Sequence, residues 1–121
     1  YENAEGVEQN SEQAVFWWTQ AAQEGSADAQ VQLGKSFYFG KGTPCDYAVA
    51  VEWFEKSAAQ GNKEGQYALA RCLIVGQGVT KDEARAVSLY EQVAIQGHLA
   101  AMNDLGWCYQ EGIGTHKDEK R

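Results

Sequence analysis

Proline occurs once in these 121 residues, at Pro44, so nothing interrupts long helical stretches elsewhere. No stretch alternates apolar and polar residues as a half-buried strand would. No apolar run approaches the ~18 residues that a membrane span needs, and no charged start leads into an apolar leader core. The chain therefore gives no reason to expect membrane insertion. Basic residues are also scarce: ten Lys and Arg face seventeen Asp and Glu, a net charge of −7 that disfavours nucleic acid and anionic membrane partners.

Chemistry-bearing residues are few. The two histidines and three cysteines form no pair at metal-ligand spacing, and no histidine stands near a plausible nucleophile in the sequence. The expectation is no catalytic residue, no metal and no cofactor. The three cysteines, Cys45, Cys72 and Cys108, cannot all pair within the chain, and this usage leans toward a reducing, cytoplasmic compartment.

What the chain has in abundance is self-similarity. Ala29, Leu33, Gly34, Phe37, Gly40 and Gly42 return 36 residues later as Gly65, Leu69, Ala70, Leu73, Gly76 and Gly78. They return again as Ala101, Leu105, Gly106, Tyr109, Gly112 and Gly114. A fixed period of this length marks a stacked array, in which each unit buries its apolar face only against its neighbours. Cys72 and Cys108 share one position of the period, where Ser36 stands first, and read as small packed residues.

Each unit divides into two helices. Helix A, expected over 27–39, 63–75 and 99–111, carries an apolar face at i, i+4, i+8 spacing, as in Ala29, Leu33 and Phe37. Gly34 and Gly106 inside it suggest close approach of a neighbouring helix. Helix B begins after a capping Asn10, Asp46, Asp82 or Asp118, the last cut off after a few residues, and the first three end at Gly25, Gly61 and Gly97. The first helix B is expected over 10–24, entered from the tail of a loop. Its stripe, Ala14, Trp17, Trp18, Ala21 and Ala22, reads as core, as does Trp53 in the next unit. Ser26 and Asn62 suit the N-cap of the following helix A, whereas His98 is a poorer cap and is assigned to the loop. Asp28 and Glu64 suit the helix dipole. The Gly-x-Gly loops follow helices, and a phosphate-binding turn needs a strand before it, so they read as structural turns.

The pattern resembles the Sel-one-like repeat, a longer relative of the tetratricopeptide repeat. The resemblance rests on Ala29, Leu33, Gly34, Phe37, Gly40, Gly42, Asp46, Ala50, Trp53, Phe54, Ala58, Gly61 and their partners 36 later. It implies an all-α fold, a right-handed α-α superhelix or solenoid of antiparallel helix pairs with a 36-residue period. Residues 1–121 form one array, with A/B pairs over 27–60 and 63–96. Gly65 stands where the family usually has alanine, and the two cysteines per repeat of some secreted members are missing. Because the chain opens on Tyr1 rather than methionine, it reads as a piece of a longer protein.

Solenoids of helix pairs present helix A along an inner surface open to a peptide or another domain. On a framework that otherwise repeats, one column changes from Lys35 to Arg71 to Trp107. The reading is a non-enzymatic protein-protein interaction module, with Lys35, Phe39, Arg71, Asn103 and Trp107 as candidate partner-binding residues. Lys35 and Arg71 suit an acidic group, and Trp107 an aromatic anchor. Plain solvated surface explains the column equally. Two other roles stay open: an architectural spacer that self-associates through exposed terminal repeats, and a regulatory domain fused to an enzyme outside this segment.

Overall fold

Capping residues fix where the helices start. A computed structural model describes residues 4–113, and six helices form all the regular structure among them. They are α1 (Ala4–Gln23), α2 (Ala27–Phe39), α3 (Tyr47–Ala59), α4 (Lys63–Val75), α5 (Glu83–Ile95) and α6 (Leu99–Glu111). The helices A are α2, α4 and α6; the helices B are α1, α3 and α5. Each helix packs on the next in sequence, and α2 also packs on α4. The result is an all-α helical repeat solenoid.

The Asp46 and Asp82 carboxylates accept the backbone N–H groups of Val49 and Arg85, and so open α3 and α5. Asn10 does not act in this way. The first helix begins at Ala4, six residues before the expected start, and Asn10 lies inside it. No proline stands between Ala4 and Gln9, so nothing in the covalent chain stops the helix from extending back through them. The expected final cap, Asp118, lies outside the described residues.

His98 departs from expectation in the other direction. Its Nδ1 accepts the N–H of Ala101 at 3.1 Å, which makes it the N-cap of α6 in the position held by Ser26 and Asn62. Its Nε2 lies 3.2 Å from Glu64 of α4. The preceding cap repeats this tie, since Asn62 donates to Asp28 at 2.8 Å. Each cap thus closes one helix A and binds the first-turn acid of the helix A before it.

The core is a string of clusters rather than a ball. Ala22, Ala29 and Leu33 form one cluster, and Phe54, Leu69, Leu73, Ala86, Tyr90 and Val93 belong to a larger one; Phe37 packs against both. Where helix B crosses helix A the contact is close. A Cβ on Gly34 would lie 2.6 Å from the Phe54 ring and 3.2 Å from the Ala50 carbonyl, so the absent side chain is where the ring sits. Tyr90 is the residue equivalent to Phe54, and Ala70 the residue equivalent to Gly34; both are buried. Gly106, third in that series, meets nothing within 4 Å among the described residues.

Buried polar groups join helix A to the helices B on either side of it. Gln30, 5% exposed, donates to the Ala22 carbonyl and accepts from Gln60 at 3.0 Å. Its equivalent Gln66 donates to Gln92 and accepts from Gln96. Ser57, fully buried, donates to the Ala27 carbonyl at 2.9 Å. The Ser57 hydroxyl occupies the space into which a Cβ on Gly65 would project, which accounts for glycine at that position.

The stripe on α1 contains one correction. Trp18 and Trp53 are half-buried, but Trp17 is 66% exposed. Its equivalents are covered progressively: Trp53 packs on the Ala22–Ala29–Leu33 cluster and Leu89 is 8% exposed. That cover comes from the preceding repeat, and no described element precedes α1.

Two expectations follow for stability, both read by urea denaturation. Gly106→Ala gains helix propensity in open space and should raise stability by up to ~1 kcal/mol, whereas Gly34→Ala must displace a core ring and should lower it by about 1–3 kcal/mol. Equal effects of the same sign would contradict this account of the crossing. His98→Ala should cost about 1 kcal/mol while His98→Asn retains most of the stability, because asparagine also caps; a harmless His98→Ala would place the cap elsewhere.

Candidate functional site

Helix A side chains, together with residues of the adjoining helices B, border two cavities. The second, of about 300 Å³, has Phe54 and Cys72 among its lining residues, with Tyr38, Phe39, Tyr67 and Ala68 around them and Lys35, Glu64 and Arg71 at its polar edge. The first, of about 680 Å³, lies between α1 and α2 and is lined by Trp18, Gln32, Lys35, Ser36, Phe39 and Lys41 among others. Four pairs relate the two by 36 residues: Trp18 and Phe54, Gln32 and Ala68, Lys35 and Arg71, Ser36 and Cys72. They are one feature of the repeat seen twice. The second is smaller because Tyr38 and Phe39, from the helix A before it, help to wall it.

A third copy of the feature would involve Tyr90, Asp104, Trp107 and Cys108. There Tyr67 reaches across from α4, donating its hydroxyl to Asp104 at 2.8 Å with its ring 5.8 Å from that of Tyr90. The acid in place of Gln32 and Ala68 thus draws Tyr67 over this position. Open groove gives way to a tied surface.

The aromatic wall is held in place by its own contacts. Tyr38 packs edge-on against Phe39 at 4.9 Å between centroids and lies 5.0 Å from Tyr47, and its hydroxyl donates to Gln77 at 2.5 Å. Burial raises the Tyr38 pKa; burial, then the bond to Asp104, raises that of Tyr67. Both hydroxyls therefore remain donors well above neutral pH. The Cys72 thiol is pushed up to about 11 by burial, so it offers no thiolate nucleophile at neutral pH.

Lys35, Phe39, Arg71, Asn103 and Trp107 are all exposed, Phe39 at 72% and Trp107 at 54%. Lys35, Phe39 and Arg71 meet at the second cavity, and Lys35 and Phe39 also edge the first. Asn103 and Trp107, one repeat further on, line neither. Sequence reasoning missed Tyr38 and Tyr67, whose apolar bodies close the wall, although Tyr38 directly precedes Phe39 in the chain. Among the described residues no group of three His, Cys, Asp or Glu is placed to hold a metal ion, and no helix is long and apolar enough to cross a membrane.

Comparison with known proteins agrees with this architecture. The family model for the Sel1 repeat matches residues 1–26, 27–62, 63–98 and 99–121. Among solved structures, a protective antigen of uropathogenic Escherichia coli with an SLR fold is 37% identical, with a TM-score of 0.85 over 88% of this chain and 23% of that one. A Sel1 repeat protein of Oxalobacter formigenes is 33% identical, with a TM-score of 0.82 over 88% of this chain and 44% of that one. Cysteine-rich protein B of Helicobacter pylori shares the fold at 24% identity and a TM-score of 0.70, over 75% of this chain and 68% of that one. The chain spans less than half the length of the first two. A search of curated proteins finds no match. Repeats that tile the whole sequence, on a fold shared with these solved structures, make this chain a member of the Sel1 repeat family.

Proposed function

We propose that this chain is a non-enzymatic interaction module that holds a segment of a partner protein against the exposed side of its helices A. The observation that carries the reading is the cavity where Lys35, Phe39 and Arg71 meet over apolar side chains. An apolar recess edged by a few polar groups is the usual form of a recognition site, the recess giving affinity and the edge giving orientation. Sel1 repeat proteins generally serve as interaction scaffolds, which accords with a site made from surface rather than from reactive groups. Asn103 and Trp107 extend the contact surface past the tied position at Asp104.

The wall adds to the case. Tyr38 and Tyr67 are fixed by hydrogen bonds to Gln77 and Asp104, so little side-chain freedom remains to be lost when a partner docks. Phe39 stands 72% exposed beside them. An aromatic ring left in solvent next to a recess is a natural anchor.

A second reading, self-association, is favoured by a separate observation. Phe16 and Trp17 on α1 are 53% and 66% exposed, and Leu99 and Met102 on α6 are 77% and 44% exposed. These apolar patches lie at the two ends of the described array, where repeat proteins otherwise place polar caps.

With purified components, replacing Lys35, Phe39 and Arg71 together by alanine should weaken a partner isolated by pull-down at least about tenfold, as loss of an anchor and two charged contacts implies. Unchanged affinity would remove the groove from the interface. For the second reading, sedimentation velocity should show a dimer at high concentration that Trp17→Ser diminishes. A strict monomer at every concentration would exclude it.

A further inference from the structure

The cations of this acidic chain are unevenly used. Lys81 pairs with Glu83, Arg85 forms a two-pronged pair with Glu55, and Lys56 lies over the Trp53 ring. Lys35, Lys41, Lys63 and Arg71 have no carboxylate partner among the described residues, and Arg71 covers the Tyr67 ring at 5.8 Å; Lys63, at the start of α4, lines neither cavity. The other three edge the two cavities: Lys35 and Lys41 the first, Lys35 and Arg71 the second. In a protein of net charge −7, acids are available for pairing, yet these three cations stand along the two cavities that border the helices A.

The geometry of the recess is periodic as well. The two cavities are the same feature one repeat apart, and Lys35 and Phe39 border both, standing between them. The next position is occupied by the bond between Tyr67 and Asp104, and Trp107 stands there in place of the cation. The usable track is therefore two compartments long, with Lys35 at the centre and one cation toward each end.

We propose that this track takes an extended acidic peptide segment carrying two apolar side chains three residues apart, one for each compartment, with carboxylates between and beside them. The proposal rests on the groove reading above and names its ligand. Neighbouring packed helices are ~8–10 Å apart. A chain in the polyproline II conformation rises ~3.1 Å per residue and completes a turn in three, so residues i and i+3 share a face at ~9 Å. The two side chains between them point elsewhere, within reach of Lys35. Ammonium and guanidinium groups bind carboxylates through charge-assisted hydrogen bonds, and Arg71 adds a planar fork. Glu64 on the edge of the second compartment sets the polarity: a basic segment would meet one acid and three cations, an acidic segment the reverse.

The test uses labelled peptides and fluorescence anisotropy at low salt. The probe is Gly-Glu-Leu-Glu-Glu-Leu-Glu-Gly. One comparator has glutamine for every glutamate; another keeps the composition but makes the leucines adjacent. The expected result is binding of the probe at least about tenfold tighter than of the glutamine peptide, weakening as salt rises, with the adjacent-leucine peptide several-fold weaker. Lys35→Ala and Arg71→Ala should each reduce affinity for the probe but leave the glutamine peptide unchanged. If both peptides bind equally and Phe39→Ala weakens both, the groove binds segments but the acidic assignment falls. If the probe binds and none of Lys35→Ala, Phe39→Ala and Arg71→Ala alters it, both readings fall. Absence of probe binding at millimolar concentration overturns the acidic track alone, since the pull-down variant tests the groove separately.

Discussion

The close crossing of helix B over helix A governs this structure. Phe54 sits where a side chain on Gly34 would be, and one repeat on the equivalent Tyr90 and Ala70 are both buried in the same core cluster. A hairpin of two 13-residue helices has too little apolar area to fold alone, so its stability depends on neighbours that approach this closely. The crossing also fixes spacing. Once the small residue and the ring are placed, the other side of helix A is left to face outward, and the same positions recur there every 36 residues with different side chains.

Polar ties between repeats then lock the stack without adding bulk. The caps of α4 and α6 bind the first-turn acids of the helices A before them, and within each repeat Gln60 pairs with the buried Gln30 and Gln96 with the buried Gln66. Such bonds add little net energy each, but leaving the buried Gln30 or Gln66 unpaired would be costly, so the glutamine pairs fix how each helix B seats on its helix A. Substitutions at outward positions can change the surface while the stack holds. Gln32, Ala68 and Asp104 occupy one such position: the first two leave a recess and the third closes it through Tyr67.

Much of this was legible in the sequence because the framework residues are constrained by backbone chemistry. Helices bracketed by aspartate and glycine, and the small residue inside helix A, follow from caps and sterics that hold in any context. The misreadings arose where context decides. Trp17 belongs to a core column by spacing, yet no described element precedes α1 to cover it. Histidine is a weak cap in general, but Glu64 supports His98 from the neighbouring unit. The start of α1 was misplaced because asparagine caps only where the chain before it leaves the helix, and here it does not. Of the candidate site, the outward column of Lys35, Arg71 and Trp107 could be read from its variation. The recess beside it could not, since its walls come from adjacent repeats and Tyr67 turns toward α6 only because an acid stands at position 104.

Mapping amide resonances during titration with a bound partner segment tests the central claim most directly, that the exposed side of the helices A is where this chain meets its partner. The account predicts shifts concentrated in 32–39 and 68–75, with α3 and α5 largely unchanged on their outer faces. Shifts gathered on α3 and α5, with Lys35, Phe39 and Arg71 undisturbed, would contradict it.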